Sequence, residues 1–186
     1  MKNFAHYFSK NPIIATIRNN EDFEYALNSK VTALFILKGD ILDLPDMMER
    51  CKISKKLVFL HIDFIKGIAK DKEGIIYLSR KKLCHGIVTT KSNLIEVAKN
   101  ESIIAVQRLF LLDSAALKTG EQLLIHHQPD AVEILPGIAA PYFIDHIHRK
   151  LICPVIAGGL IREKNEIDYL FNKGVLAIST SRKELW

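Results

Sequence analysis

Two short segments near the carboxyl end of the chain carry the residues best suited to binding an anion. Segment 154–162 runs from an apolar stretch into paired glycines, and segment 175–181 runs into three hydroxyl residues. Glycine lets the backbone approach an anion closely because it has no Cβ, and the free N–H groups at the start of a helix attract phosphate. We therefore predict a phosphate site formed by Gly158, Gly159, Ser179, Thr180 and Ser181.

A second group of candidate ligand residues stands at or just after the ends of other apolar runs. The planar guanidinium of an arginine fits a phosphate group, and carboxylates accept hydrogen bonds from the hydroxyls of a polyol. The same charges can instead pair with one another, because a lone buried charge is costly, and the sequence leaves both roles open. This group comprises Arg18, Asp63, Arg108, Glu133 and Gly137.

Positive charge is concentrated in the first half of the chain. Residues 1–93 contain 16 Lys and Arg against 10 Asp and Glu, whereas residues 94–186 contain 10 against 11. Such asymmetry indicates a polyanionic partner, although a solvated lysine-rich surface explains it as well. The candidates for contact with such a polyanion, which the family resemblance described below identifies as RNA, are Lys66, Lys70, Lys72, Arg80, Lys81 and Lys82.

Other kinds of site find little support in the sequence. His61 and Asp63 share one face of a strand, but no third metal ligand stands at a suitable spacing, so we expect no metal. We find no catalytic triad order, Walker loop or dinucleotide fingerprint, and we expect no cofactor. The three cysteines lie far apart and predict free thiols.

Apolar runs that alternate with helical patterns indicate the elements that position these residues. Strands are predicted at 12–17, 32–37, 56–62, 86–89, 103–107, 131–135, 153–157 and 175–179. Helices are predicted near 20–28, 43–53, 72–82, 92–100, 114–127, 140–150, 163–172 and 182–186.

Eight such repeats favour a (β/α)8 barrel of the TIM type as one domain over residues 1–186. Because complete barrels usually have about 250 residues, we expect a small barrel, and an incomplete or irregular one remains open. Ligands of parallel β/α folds bind where the strands end, so the candidate residues should gather at one face.

The N-terminal residues and the hydropathy of the chain indicate the cellular location of the protein. The first eleven residues lack the apolar core of a signal peptide, and no uncharged apolar stretch approaches the ~18–20 residues that span a bilayer. We therefore expect a cytoplasmic protein without a membrane partner. The sequence is compatible with a homo-oligomer.

Four ordered motifs resemble the glycerol-uptake operon antiterminator family. They are HIDFIKGI at 61–68, AVQRLFLLDS at 105–114, VEILPG at 132–137 and AGGLIR at 157–162. The likeness also takes in residues 12–19 and the ending from Ile178 to Trp186, so it covers nearly the whole chain. Four motifs at matching spacing are more specific than any single one.

The resemblance implies a non-enzymatic barrel that regulates glycerol metabolism by transcription antitermination. Such a regulator would sense glycerol 3-phosphate, bind the leader mRNA of glycerol-catabolic operons and prevent a terminator hairpin. In this chain the phosphate would then sit on the glycines and hydroxyl residues, and the glycerol hydroxyls on Asp63, Glu133 or Arg18. Binding would order the loop over 63–71, which carries Lys66 and Lys70.

Two other functions compete with this interpretation. One is a small barrel lyase, isomerase or phosphodiesterase that acts on a triose or sugar phosphate, with Lys66 as a Schiff-base or general-acid lysine and Asp63 or Glu133 as base. The other is a metabolite sensor whose partner is a protein. Salt-dependent binding of leader RNA separates this sensor from the RNA regulator.

Overall fold

Eight parallel strands close into a barrel in the computed structural model, which describes residues 4–9, 11–147 and 153–186. Each strand pairs with its neighbours in the sequence, and the last pairs with the first, where Ile178 lies opposite Ile13. The sheet is complete, so the predicted (β/α)8 barrel is confirmed. The strands are β1 Ile13–Ile17, β2 Ala33–Ile36, β3 Leu57–His61, β4 Gly86–Thr89, β5 Ile104–Phe110, β6 Ala131–Leu135, β7 Val155–Gly158 and β8 Ala177–Thr180.

Within the described residues, seven α-helices cover the barrel. Several begin at a side chain that caps them: Asn19 accepts from Asp22 N, and Asp71 accepts from Gly74 N. The helices are α1 Asn20–Asn28, α2 Leu44–Ile53, α3 Lys72–Arg80, α4 Asn93–Asn100, α5 Ser114–His127, α6 Ala140–His146 and α7 Lys164–Asn172. Among the described residues, no helix is long and apolar enough to cross a membrane.

Several elements differ from the sequence prediction in type or in their bounds. The helix predicted over 182–186 is a single 3-10 turn, Lys183–Leu185. Strand β5 extends beyond 107 because its last residues still pair with β6, with Phe110 opposite Leu135. Helix α6 ends at His146, and the predicted residues 148–150 lie outside the described residues.

The interior of the barrel is filled from its amino-terminal end. Alternate strand residues such as Phe35 and Phe59 pack together inside the barrel. An N-terminal 3-10 helix that the sequence did not predict, Phe4–Phe8, adds two buried rings to this cluster. With that end packed, the polar residues at the carboxyl ends of the strands surround the open end.

Candidate ligand site at the carboxyl ends of the strands

A cavity of about 300 Å³ opens at the carboxyl ends of β1, β2 and β5–β8. This volume is at the lower end of the range for small-molecule sites. Four arginines and one carboxylate line it, so its potential favours an anionic ligand. Its polar lining residues are Thr16, Arg18, Arg108, Glu133, Gly159, Arg162, Ser179, Thr180, Ser181 and Arg182, and its apolar ones are Leu37, Leu135, Leu160 and Ile161.

A buried ion pair forms the floor of this cavity. Strands β5 and β6 place Arg108 opposite Glu133, and Arg108 Nε donates to Glu133 Oε2 at 2.6 Å. The side chains are 7% and 1% exposed. The other carboxylate oxygen accepts from Ser179 Oγ at 2.5 Å. Both oxygens of Glu133 are thus engaged, whereas an arginine has further N–H groups that remain available to a ligand.

The two glycines after β7 have different roles. A Cβ on Gly158 would overlap Ser179 Oγ and lie 2.8 Å from Glu133 Oε1, so this glycine makes room for the bond between those residues without lining the cavity itself. Gly159 lines the cavity and has a φ of +74°, in the left-handed region that favours glycine. Gly159 is therefore the glycine whose backbone faces a ligand.

The residues after β8 form the opposite wall. The hydroxyl of Thr180 accepts from Arg182 N at 3.2 Å, and the carbonyl of Thr180 accepts from Trp186 Nε1 at 2.9 Å. The hydroxyl of Ser181 has no hydrogen-bond partner within the described part of the chain. The following 3-10 turn is only three residues long. This wall therefore presents side-chain donors to an anion and lacks the dipole of a full helix.

Three of the arginines extend from the rim of the cavity. Arg18, Arg162 and Arg182 are exposed, and their guanidinium groups make no hydrogen bond or ion pair with residues 4–9, 11–147 or 153–186. Hydrogen bonds from two backbone N–H groups lower the pKa of Glu166, and the charges of Arg162 and Arg182 add to this effect. The guanidinium donors of all three arginines remain available to a phosphate.

Besides Gly158, two of the predicted ligand residues, Asp63 and Gly137, lie outside the cavity. The carboxylate of Asp63 accepts from Thr90 N at 3.0 Å and from the hydroxyls of Thr89 and Thr90 at 3.3 Å. Gly137 is buried, and its N–H donates to the carbonyl of Gly159 at 3.1 Å. Asp63 thus joins the loops after β3 and β4, and Gly137 supports the glycine loop from behind.

His61 lies at the carboxyl end of β3 and is 1% exposed. Burial and the nearby Arg108 charge lower its pKa to about 4, against the opposing effect of Asp63. Its Nδ1 lies 3.5 Å from Asp63 Oδ2, but neither ring nitrogen makes a hydrogen bond. The ring of Phe64 stacks on it at 4.4 Å between centroids.

The six predicted RNA contacts are all exposed but fall into two groups. Lys66, Lys70 and Lys72 lie between the end of β3 and the start of α3, at the face that holds the cavity. The C-terminal end of α3 lies at the opposite face of the barrel, because the helix runs back to the start of β4. There stand Arg80, Lys81 and Lys82.

The predicted ligand residues did not include Arg162 and Arg182. Arg162 is the last residue of segment 154–162 and Arg182 directly follows segment 175–181, so their position after a strand end was the available signal. Nothing in the sequence indicates that the ring nitrogens of His61 make no hydrogen bond, since burial and ring packing depend on the fold.

Comparison with known proteins connects this geometry with a family. Residues 13–186 match the model of the family described as glycerol-3-phosphate responsive antiterminators. A glycerol uptake operon antiterminator regulatory protein from Listeria monocytogenes has 35% sequence identity and a TM-score of 0.89, with 96% of each chain covered. A glycerol uptake operon antiterminator-related protein from Thermotoga maritima has 35% identity and a TM-score of 0.83, with 94% of this chain and 96% of that chain covered.

A curated relative extends the comparison. The uncharacterized protein YgcP of Escherichia coli (strain K12) is 29% identical over 181 residues, which cover 97% of this chain and 94% of the relative. The similarity therefore spans the cavity and the whole barrel around it.

Proposed function

The chain belongs to the glycerol-3-phosphate responsive antiterminator family, and from this premise we propose that it binds glycerol 3-phosphate in the arginine-lined cavity and then binds the leader mRNA of glycerol-catabolic operons. The observation that carries the first half is the set of four arginines around a single carboxylate that is already paired. Their excess positive charge matches a phosphate ester.

Within the cavity, we place the phosphate between the glycine loop after β7 and the wall after β8. Gly159 offers a close backbone approach there, and Ser181 and Arg182 offer donors. The glycerol hydroxyls then face Arg108 and Glu133 on the floor. Arg18 reaches the same ligand from β1, so strands from both sides of the barrel closure contribute to one site.

The RNA contact belongs on the face that holds the cavity, because a bound ligand there lies at the same face as exposed lysines. Lys66, Lys70 and Lys72 stand on that face. Arg80, Lys81 and Lys82 also carry three positive charges, but they stand at the far end of α3. Bound RNA phosphates release counterions, so affinity falls as salt rises.

The effector is tested by calorimetric titration with glycerol 3-phosphate, glycerol and inorganic phosphate. We expect the phosphate ester to bind and glycerol not to bind. Arg182→Gln should weaken binding by about 10- to 100-fold, the usual range for a lost hydrogen bond to a charged group. The control is Lys173→Gln on the outer surface after α7, which should leave the affinity unchanged. Failure of glycerol 3-phosphate to bind would refute the proposed effector.

The RNA face is tested with two triple variants of equal charge change. One replaces Lys66, Lys70 and Lys72 by Gln, and the other replaces Arg80, Lys81 and Lys82 by Gln. In filter binding of leader RNA with glycerol 3-phosphate present, the first should lose affinity and lower the slope of log affinity against log salt by about two. The second should resemble the unmodified protein. Equal losses of affinity in both variants would show that RNA binds by non-specific charge attraction. Equal RNA affinity with and without glycerol 3-phosphate would refute the proposed response to the effector.

A further inference from the structure

His61 is a buried polar side chain that the fold leaves without a hydrogen bond. It is 1% exposed, and neither ring nitrogen makes a hydrogen bond, although Nδ1 lies 3.5 Å from Asp63 Oδ2. Buried polar groups in native proteins are nearly always bonded, so an exception calls for an explanation. An apolar side chain at this position would leave no buried polar atom without a hydrogen bond, which indicates that the nitrogens serve something other than packing.

The position of this imidazole puts it beside the ligand site. Along β3, Phe59 and His61 both point to the barrel interior, and Phe59 belongs to the interior cluster. Val88 on β4 lies opposite His61 and opposite Val106 of β5. Arg108 is the next inward-facing residue after Val106 and lines the cavity, and its charge adds to burial in lowering the pKa of His61. A neutral imidazole has one donor and one acceptor nitrogen, which is the pattern that complements a hydroxyl group.

The ring of Phe64 lies against this imidazole. The two ring planes are tilted by 34°, and Phe64 is 54% exposed. The backbone on both sides is fixed: Thr90 N donates to Asp63, and Ile65 pairs with Gly39 in a short two-stranded sheet. A half-exposed ring on a fixed backbone can change rotamer without moving the loop.

We propose that His61 is a hydroxyl-binding residue that becomes accessible when the Phe64 ring rotates, so that the polyol end of a bound phosphate ester extends from Arg108 to His61. The inference rests on the proposed function, because it adds a second subsite to the same effector. The response of the 63–71 segment to ligand is then a rotation of one side chain, and the backbone stays in place.

The experiment distinguishes binding of the phosphate group from binding of the polyol end of the ligand. Glycerol 3-phosphate and inorganic phosphate are titrated into the unmodified protein, His61→Phe and Phe64→Ala, with calorimetry and the fluorescence of Trp186 as readouts. Trp186 is the single tryptophan of the chain, and its bond to Thr180 places it next to the phosphate end. The control is Phe110→Ala, since Phe110 is 53% exposed at another strand end.

His61→Phe should lower the affinity for glycerol 3-phosphate by about tenfold or more. It should change the affinity for inorganic phosphate by no more than about twofold. The same variant should unfold at a higher temperature without ligand, because it removes unsatisfied buried nitrogens. Phe64→Ala should bind glycerol 3-phosphate at least as tightly as the unmodified protein, and the ¹⁵N resonances of His61 should shift with glycerol 3-phosphate but not with inorganic phosphate.

Unchanged glycerol 3-phosphate affinity in His61→Phe would overturn the inference, and so would an equal loss for both ligands. Neither of those results would affect the proposed effector, which the unmodified protein tests by itself. Absence of glycerol 3-phosphate binding to the unmodified protein would overturn both.

Discussion

Two ion pairs with the same contact distance allow the effect of burial to be measured directly. Arg108 and Glu133 meet at 2.6 Å with 7% and 1% of their side chains exposed, and Arg50 and Glu24 meet at 2.6 Å with 37% and 56% exposed. We consider the substitution Glu133→Leu, with Glu24→Leu as its matched control. Only the first leaves a guanidinium in a largely buried position without its counter-charge.

Removing one partner of a buried pair typically costs about 3–5 kcal/mol. For a chain of this length each kcal/mol lowers the melting temperature by about 2–4 °C, so Glu133→Leu should melt about 6–20 °C lower. The exposed pair is screened by solvent, and Glu24→Leu should leave the midpoint unchanged. Circular dichroism melts and urea titrations measure both.

A double variant tests the reason for the loss. Arg108→Leu combined with Glu133→Leu removes both charges, and such replacements are often neutral or stabilising. We expect the double variant to be more stable than Glu133→Leu alone while it loses affinity for glycerol 3-phosphate. The argument from burial is wrong if Glu133→Leu has the same melting temperature as the unmodified protein. It is also wrong if the double variant is less stable than Glu133→Leu.

Three further predictions concern packing, pH and thiols. Gly158→Ala should lower the free energy of unfolding, measured by urea titration, by about 1–3 kcal/mol because the added Cβ overlaps Ser179 Oγ. Gly39→Ala should leave it unchanged, because nothing lies within 4 Å of the added Cβ. The pKa of His61 is lowered to about 4 from 6.5, so the unfolded chain takes up the proton first as pH falls. Up to about 3 kcal/mol of stability should therefore be lost between pH 6.5 and 4, and urea titrations of His61→Phe should lack that component. Burial raises the thiol pKa values, so a thiol reagent at pH 8 should label the folded protein slowly and all three cysteines once urea unfolds it; a fast folded-state reaction would contradict this. The values are about 11 for Cys51 and about 12 for Cys84 and Cys153.

Local patterns were sufficient to predict the elements of the barrel. The run over 86–89 is a strand with the predicted bounds. The helix predicted over 114–127 also has those bounds, and it begins after Asp113, whose carboxylate accepts from Ala116 N. Helix α7 buries Ile167 and Leu170 and is followed by Gly174 at a φ of +87°. In each case the deciding interactions lie within a few residues along the chain.

Side-chain partners from different β/α units could not be predicted in this way. Asp63 stands at a strand end like a ligand residue, yet Thr89 and Thr90, on the neighbouring strand and its loop, bind its carboxylate. Lys72 and Arg80 belong to one basic stretch of sequence, but α3 separates them by about 12 Å at 1.5 Å per residue. Only the folded chain decides which of these charges share a surface.

Closure of the barrel by β1 and β8 has a consequence for synthesis of the protein. Ile13 pairs opposite Ile178, so one edge of β1 has no partner strand until about 165 further residues have been made. At ~5–20 residues per second that edge stays open on the nascent chain for about 8–33 seconds. A bare strand edge is a template for pairing with other chains, so the growing polypeptide is most exposed to aggregation before its last strand leaves the ribosome.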